Sequence, residues 1–472
     1  MIDIDNVSFR YSAAEEESLH DVTIHINKGE CVLLTGESGC GKTCVTRLVN
    51  TLIPHFYEGN MTGRVCIEGI DTESIQPHDL SEKIGSVFQN PRSQFFSLNT
   101  DSEIVFGMEN KGVPYKQMQD RYQKTISELH IEKLVNRNIF DLSGGQKQTI
   151  AFASVYAPNP DIFVLDEPSS NLDPDAIKEL QRLLLLIKSQ GKTILISEHR
   201  LYFLREIVDR IIVMEQGRIK GEWTVDAFKK IRSDVYESLG LRSFTPTQLT
   251  LSVGDPKRDD VAVVQMKNLV VGYDKHPVTS KINFSVYPGE IVGIIGKNGC
   301  GKTTLARTLC GLQKEISGEI LFMGKNVSWK KRTRSAYMVM QDPDYQLFTN
   351  SVYQEMVMAT AGKKYYGTEK INDILKKLNL FSYKECHPMA LSGGQKQRVA
   401  IGVAVLMDTE VIIFDEPTSG LDYKNMDSVA KILRTLSKMG KAILVISHDN
   451  ELLMKICNRI IRMDADATTL SQ

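Results

Sequence analysis

The sequence predicts an α/β chain of two similar domains, each built on a largely parallel sheet. Three observations carry this. A glycine-rich octapeptide occurs twice, the same further motifs follow each copy in the same order, and short apolar runs alternate with helix-like stretches. The octapeptide is Gly36-Glu37-Ser38-Gly39-Cys40-Gly41-Lys42-Thr43, and it returns 260 residues later as Gly296-Lys297-Asn298-Gly299-Cys300-Gly301-Lys302-Thr303. Each copy follows an apolar run, Cys31 to Thr35 or Ile291 to Ile295, and precedes a helical pattern, the context that a phosphate-binding loop requires.

In such a loop the glycines let backbone N–H groups close on phosphate oxygens. Lys42 and Lys302 are expected to neutralise phosphate charge, and Thr43 and Thr303 to offer a hydroxyl to Mg²⁺. The helix that follows aims the positive end of its dipole at the phosphates. After each loop comes a strand-end glutamine, Gln89 or Gln341, then a Leu-Ser-Gly-Gly-Gln peptide ending at Gln146 or Gln395. Apolar runs ending in Asp166-Glu167-Pro168 and Asp415-Glu416-Pro417 follow, and then a histidine, His199 or His448. The spacings agree: 23 residues from Ser143 to Asp166 and from Ser392 to Asp415, and 33 from each aspartate to its histidine. Only the early part differs, with 47 residues from Lys42 to Gln89 against 39 from Lys302 to Gln341, an excess expected near Pro54 to Gly59.

Asp166 and Asp415, each at a strand end, suit Mg²⁺ held largely through its waters. Glu167 and Glu416, one residue on, are placed to orient and deprotonate an attacking water. Ser143-Gly144-Gly145-Gln146 and Ser392-Gly393-Gly394-Gln395 are each expected to open a helix whose hydroxyl and bare amides bind an anion without forming a complete catalytic site. Tyr115 to Leu134 has an amphipathic helical pattern and is expected in a subdomain standing off the sheet.

Composition bounds the rest. The 472 residues are too many for one core and suit two domains, and the 42% hydrophobic and 24% charged content is that of globular protein. A formal net charge of −1 gives no basic field for nucleic acid. No apolar run approaches the ~20 residues that span a bilayer, and Met1 to Asp5 lacks the basic and apolar segments of a signal peptide. The eight cysteines are scattered without a C-x-x-C pair, as expected of reduced thiols. Cys40 and Cys300 lie inside the phosphate loops, where oxidation is a liability. Domains are expected at 1–242 and 261–472, joined by a linker at 243–260 that contains Thr245-Pro246-Thr247 and Gly254-Asp255-Pro256. A polar tail follows Met463. Glu15-Glu16-Glu17 reads as a solvated hairpin tip, and Lys330-Lys331-Arg332-Thr333-Arg334 as a surface loop, with a lipid or nucleic-acid role as the alternative.

The full motif order resembles two ATP-binding cassettes in tandem, over nearly all of the chain outside the linker and tail. That resemblance implies two P-loop NTPase domains of ABC ATPase type, each with a mixed or parallel sheet and a helical subdomain. ATP and Mg²⁺ are the implied cofactors and ATP hydrolysis the implied activity. In that family two cassettes sandwich two ATP molecules. One site would join Lys42, Thr43, Gln89, Asp166, Glu167 and His199 to the Ser392–Gln395 signature, and the other Lys302, Thr303, Gln341, Asp415, Glu416 and His448 to the Ser143–Gln146 signature. Thr43, Gln89 and Asp166, like Thr303, Gln341 and Asp415, would hold the metal, and the histidines would bond the γ-phosphate. Tyr11 and Tyr273, 31 and 29 residues before their lysines, would stack on adenine, unless they are ordinary strand tyrosines. Closure within one chain or between two chains both remain open.

Gln89-Asn90-Pro91-Arg92-Ser93-Gln94-Phe95-Phe96 and Gln341-Asp342-Pro343-Asp344-Tyr345-Gln346-Leu347-Phe348, each followed by an acidic helix start, resemble the ATPases of energy-coupling factor transporters. Those are prokaryotic importers of vitamins or of cobalt and nickel ions. The resemblance implies a motor at the cytoplasmic face of the membrane, a membrane T component whose coupling helices dock beside this segment, and a substrate-binding S component. No nucleic-acid partner is expected. The tandem ATPase of sugar importers and a soluble translation factor are the rival readings. Both acid pairs, both histidines and both signatures are intact, against the degenerate site common in the first, and the short linker differs from the long charged connector of the second. The segments Ser170-Asn171-Leu172-Asp173 and Ser419-Gly420-Leu421-Asp422, with Thr149 standing where the other half has Arg398, predict two active but unequal sites.

Overall fold

The computed structural model describes residues 1–170, 172–251, 261–274, 276–360 and 367–463, with the side chains of Arg92 and Ser233 left aside. Asn171, residues 252–260 of the expected linker and the tail beyond Met463 lie outside the described residues. The chain divides into two compact units with the boundary between Pro246 and Thr247, apart from Asp422–Lys424, which group with the first. Phe244, two residues into the segment read as a linker, is buried against Phe228 of the first unit, with ring centroids 5.1 Å apart.

In the first unit four strands carry the motifs: β1 (Cys31–Gly36), β2 (Ile84–Val87), β3 (Ile162–Asp166) and β4 (Thr193–Ser197). They lie in the order β1-β4-β3-β2, all parallel, and β1 continues into Arg210–Glu215 and the antiparallel edge strand Arg218–Thr224. Both faces are covered, so these strands are unbroken apolar runs rather than alternating ones. A second sheet is antiparallel, built from Ile2–Tyr11, Leu19–Ile26, Gly59–Ile67 and Ile70–Asp71. Leu19–Ile26 alternates buried with accessible residues, as a one-sided sheet requires. Glu15, Glu16 and Glu17 are exposed in the connection between its first two strands, as the charge run predicts.

Helix α1 (Lys42–Val49) follows the phosphate loop. Helices α2 (Thr100–Asn110), α3 (Tyr115–Leu129) and α4 (Gly144–Tyr156) form the helical subdomain. The expected helix to Leu134 stops at Leu129, because His130 takes a left-handed φ of 55° and ends it. The subdomain does not stand off the sheet. Ile104 and Met108 of α2, Ile126 and Leu129 of α3 and Phe152 of α4 share one continuous core with Leu33, Phe163 and Ile196 of the strands. The Phe152 and Phe163 rings stack at 6.1 Å, which joins α4 to β3.

The second unit repeats the plan with β5 (Ile291–Ile295), β6 (Ala336–Val339), β7 (Val411–Asp415) and β8 (Ala442–Ile446) in the parallel order β6-β7-β8-β5, followed by Arg459–Arg462. Its helices include α5 (Lys302–Leu309), α6 (Val352–Ala359), α7 (Thr368–Lys377) and α8 (Gly393–Met407). The extra length of the first half is split. Ile67 and Phe322 pair with the first residues of equivalent strands, and only five of the eight extra residues precede them. The remaining three fall between Ile67 and Gln89.

The basic run 330–334 is not simply a surface loop. It forms a 3-10 turn over Trp329–Arg334 in which Arg332 is 1% exposed. The guanidinium donates to Glu315 Oε2 at 2.8 Å and Oε1 at 2.9 Å, and also to the carbonyls of Val327 and Thr308. A charge run marks mean polarity only, and here one member turned inward because a bidentate carboxylate and two carbonyls satisfy it.

Candidate nucleotide site in each unit

The strand order places the chemistry. β1, β4, β3 and β2 are adjacent and parallel, so their carboxyl ends share one edge, where ligands of open α/β sheets bind. That edge carries the phosphate loop after β1, Glu198-His199 after β4, Asp166-Glu167 at the end of β3 and Gln89 shortly after β2. The second unit sets out its loop, His448, Asp415-Glu416 and Gln341 in the same way.

Each phosphate loop turns through left-handed backbone at Gly39 and Gly41 (φ 80° and 103°) or Gly299 and Gly301 (φ 83° and 97°), conformations that favour glycine. Gly36 and Gly296 have a different reason. A Cβ there would sit 2.2 Å from the Met214 carbonyl oxygen or 2.0 Å from that of Met463. The buried Lys42 ammonium lies across its loop, donating to the carbonyls of Gly36 at 3.2 Å and Glu37 at 3.0 Å. Lys302 does the same to Gly296 at 2.7 Å and Lys297 at 2.9 Å. A cradle of amides around a held ammonium suits a polyphosphate. Cys40 is buried in the loop, and burial pushes its thiol up despite Lys42, so it is poor in reactive thiolate.

The acid pairs lie beside these loops. Ser197 Oγ donates to Asp166 Oδ1 at 2.6 Å, and Thr303 Oγ1 to Asp415 Oδ2 at 2.7 Å. Burial pushes both aspartates up, a desolvation cost that a cation would offset. One hydroxyl with one carboxylate fits Mg²⁺, which keeps most of its waters. Among the described residues no cluster of three acids, histidines or cysteines forms an all-protein metal cage. Thr43 with Asp166, and Thr303 with Asp415, could hold such an ion, which would neutralise phosphate charge.

Glu167 and Glu416 adopt left-handed backbone, with φ of 45° and 48°. A glutamate held there twice stores strain of about 1–3 kcal/mol, a feature concentrated at functional sites. Glu167 accepts from Gln89 Nε2 at 2.8 Å, and its Oε1 is 3.2 Å from His199 Nε2. Burial would raise its pKa, but His199 and Lys42 outweigh that and hold the carboxyl below its usual range. Glu416 instead accepts from Ser447 Oγ at 3.1 Å, and its Oε1 is 3.8 Å from His448 Nε2. The histidines expected at the γ-phosphate therefore lie first against the glutamates.

The signature segments open helices as expected. Ser143 caps α4 and Ser392 caps α8, each in a reciprocal capping box with its glutamine three residues on. A Cβ at Gly144 or Gly393 would meet nothing within 4 Å, whereas one at Gly145 would strike the Ala176 methyl at 2.8 Å. The tyrosines are tied to the helices after the loops. Tyr11 Oη lies 3.2 Å from Cys44 Sγ and accepts from Arg47 at 2.8 Å, while Tyr273 Oη accepts from Thr304 at 3.2 Å.

Sequence reasoning missed Glu198, a fully buried carboxylate beside Glu167. The signal was present, since alignment on the histidines sets Glu198 against Ser447. Burial pushes its carboxyl up, to about 7, the Glu167 charge adds to the rise, and hydrogen bonds from Ser169 and the His199 amide oppose it. The folded-state value lies above the unfolded one near 4.5, so the stability Glu198 contributes is fully present below pH 4.5 and is lost as pH rises to 7. Glu198→Gln should therefore gain on the wild type by on the order of 3 kcal/mol between those limits. Melting both proteins across that range checks this, and a gap independent of pH would contradict it.

The ABC transporter family model matches residues 19–170 and 279–419. A relative from Treponema denticola, named as an ABC transporter ATP-binding protein, is 48% identical over 470 residues, covering 98% of this chain and 95% of its own. One from Methanosarcina mazei with the same name is 32% identical, covering 98% of this chain and 87% of its own. A chain from a structure described as a model of ribosome-bound archaeal Pelota and ABCE1 matches 97% of this chain and 76% of its own, with a TM-score of 0.69 at 22% identity, a likeness of fold alone. With one match in each half and relatives alike over almost its whole length, the chain belongs to the ABC transporter family as a tandem of two ATP-binding cassettes and is an ATPase.

Proposed function

We propose that the chain is the ATP-hydrolysing motor of a membrane importer of the energy-coupling factor type, working at the cytoplasmic membrane face with separate T and S components. One observation carries this reading: each unit builds a rigid turn that holds aromatic side chains out in solvent. In the first turn Gln94 folds back onto the strand it follows, accepting from the Phe88 amide at 3.2 Å and donating to the Ser86 carbonyl at 3.3 Å. The buried Glu103 accepts from the amides of Phe96 at 3.0 Å and Ser97 at 2.8 Å. Gln346 makes the equivalent pair of bonds to Met340 and Met338, both at 2.7 Å, and Glu355 takes the amides of Phe348 and Thr349. Phe96 is left 75% exposed and Phe348 70%, with Leu98 and Tyr345 beside them also exposed. Large apolar groups locked outward at an order that costs conformational entropy suit a docking partner.

Within each unit, Lys42 or Lys302 and the loop amides hold the phosphates, and Thr43 with Asp166 or Thr303 with Asp415 hold Mg²⁺. Glu167 and Glu416 orient and deprotonate the water, with Gln89, Gln341, His199 and His448 positioned around them. The signature helices supply Ser143 and Ser392 to bound nucleotide. Mg²⁺ contributes charge neutralisation when bound.

No helix among the described residues is long and apolar enough to cross a membrane, so the transport reading requires separate membrane subunits. Affinity purification of the full chain from membranes tests it. The wild type is expected to bring down integral membrane proteins, and Phe96→Glu with Phe348→Glu to lose them while ATP affinity stays within about twofold. Recovery with ribosomes instead would favour a soluble translation factor and overturn the importer reading.

A further inference from the structure

The two cassettes differ on either side of the histidine. The first reads Ser197-Glu198-His199-Arg200 and the second Ile446-Ser447-His448-Asp449, so the carboxylate has moved from the position after the histidine to the position before it. In the second cassette Asp449 Oδ2 accepts from Thr418 Oγ1 at 2.7 Å, while its Oδ1 caps the helix Asn450–Ile456 by accepting from the Leu452 amide at 3.2 Å. Thr418 lies two residues beyond Glu416. In the first cassette Ser169 stands in the place of Thr418 and gives both its amide, at 3.1 Å, and its hydroxyl to Glu198 Oε1. The other oxygen of Glu198 accepts the His199 amide at 2.8 Å. Arg200, in the place of Asp449, donates instead to the Leu172 carbonyl at 3.3 Å.

We propose that Glu198 is a positioning residue for ATP hydrolysis in the first cassette: its buried carboxylate clamps Ser169, two residues beyond Glu167, to the backbone of His199, and so sets the Glu167–His199 pair, as Asp449 and Thr418 brace the Glu416–His448 pair in the second. The difference is visible in the pairs themselves, with the histidine 3.2 Å from the glutamate in the first cassette and 3.8 Å in the second. It is also costly to maintain. A 2% exposed carboxylate beside the Glu167 carboxylate, with Arg200 as the cation acting on it, persists where its hydrogen bonds are needed. The proposal rests on the assignment of Glu167 and His199 to hydrolysis.

The test measures steady-state ATP turnover of the full chain. Glu198→Ser supplies the second cassette's residue without its brace, and is expected to lower kcat about tenfold, the usual scale for loss of a supporting partner, with KM for ATP within about twofold. Adding Arg200→Asp transplants the brace onto Ser169 and is expected to restore most of the loss. Glu198→Gln keeps the side-chain volume, so it guards against a folding defect. It keeps one of the two clamping contacts, and should also lower kcat at constant KM and change the pH profile of kcat between pH 5 and 8. Wild-type kcat in Glu198→Ser and Glu198→Gln, or a loss that Arg200→Asp does not recover, overturns the proposal. Glu167→Gln, run alongside, separates the two levels: undiminished turnover there removes the assignment of Glu167 itself, whereas slow Glu167→Gln with normal Glu198 variants removes only the role of Glu198.

Discussion

With both sites hydrolysing in one coupled cycle, Glu167→Gln is expected to lower ATP turnover of the full chain by about 10²–10⁴-fold, the range for loss of a positioned general base. Independent sites would limit the loss to the first site's share. Glu416→Gln should cost less. The reason is the way each glutamate is held. Glu167 accepts a hydrogen bond from Gln89 at 2.8 Å and has the His199 ring at ion-pair distance, 3.2 Å, and His199 and Lys42 stabilise its charge. Glu416 accepts from Ser447 Oγ at 3.1 Å and from the His448 amide at 3.3 Å, with the His448 ring farther off at 3.8 Å. Glutamine preserves shape and hydrogen bonding but cannot take the proton, so ATP affinity should survive in both variants. Single-turnover hydrolysis alongside nucleotide binding measures this. Equal losses would mean that the two environments are equivalent in function, and retained turnover in both would move the base elsewhere. The two losses need not add, because groups acting in one cycle are not independent.

Arg332→Ala should destabilise the second cassette by about 1–3 kcal/mol, the cost of leaving hydrogen-bonding groups unpaired, less than for a fully buried ion pair because Glu315 is 19% exposed. The guanidinium is 1% exposed and holds both oxygens of Glu315. Its loss strands that carboxylate and frees the Val327 and Thr308 carbonyls. The register fixed by Gln89 and Gln341 sets Arg332 against Leu80, which is buried in the first unit. An apolar residue is therefore acceptable at this place in the fold. Arg332→Met with Glu315→Gln should recover most of the loss, since removing both charges together leaves neither one uncompensated. Denaturant unfolding of the three proteins checks both statements. A single variant as stable as the wild type would show that the pair contributes nothing.

Much of this was legible in the sequence, and the reasons differ by element. Parallel strands buried on both faces must be apolar throughout, so Cys31–Gly36 and Ile162–Asp166 stand out as unbroken runs, and the repeat confirms each by its counterpart. The phosphate loops were legible because left-handed turns and close backbone approach leave glycine as the favoured residue. What spacing cannot carry is direction. Nothing in a run of basic residues marks Arg332 as the one turned inward. The left-handed backbone of Glu167 and Glu416 has no composition signature either, since glutamate is an unusual residue to find there. Glu198 was hidden differently, because counting from aspartate to histidine gives the same 33 residues whatever precedes the histidine. Phe244 was lost among turn-forming neighbours, although its ring belongs to the first core.

The bonds of Gln94 and Gln346 also bear on mechanical compliance. A lever transmits displacement only if its joint does not yield. Here the joint is one glutamine amide pinned at both ends to the strand beneath it, five residues after Gln89 or Gln341. With Glu103 or Glu355 bracing the far side, little slack remains between Gln89 and Phe96, or between Gln341 and Phe348. A small movement at the first residue of each pair would then pass to the second. Stiffness over so short a span would let a sub-ångström change at a phosphate become work on whatever grips the aromatic ring.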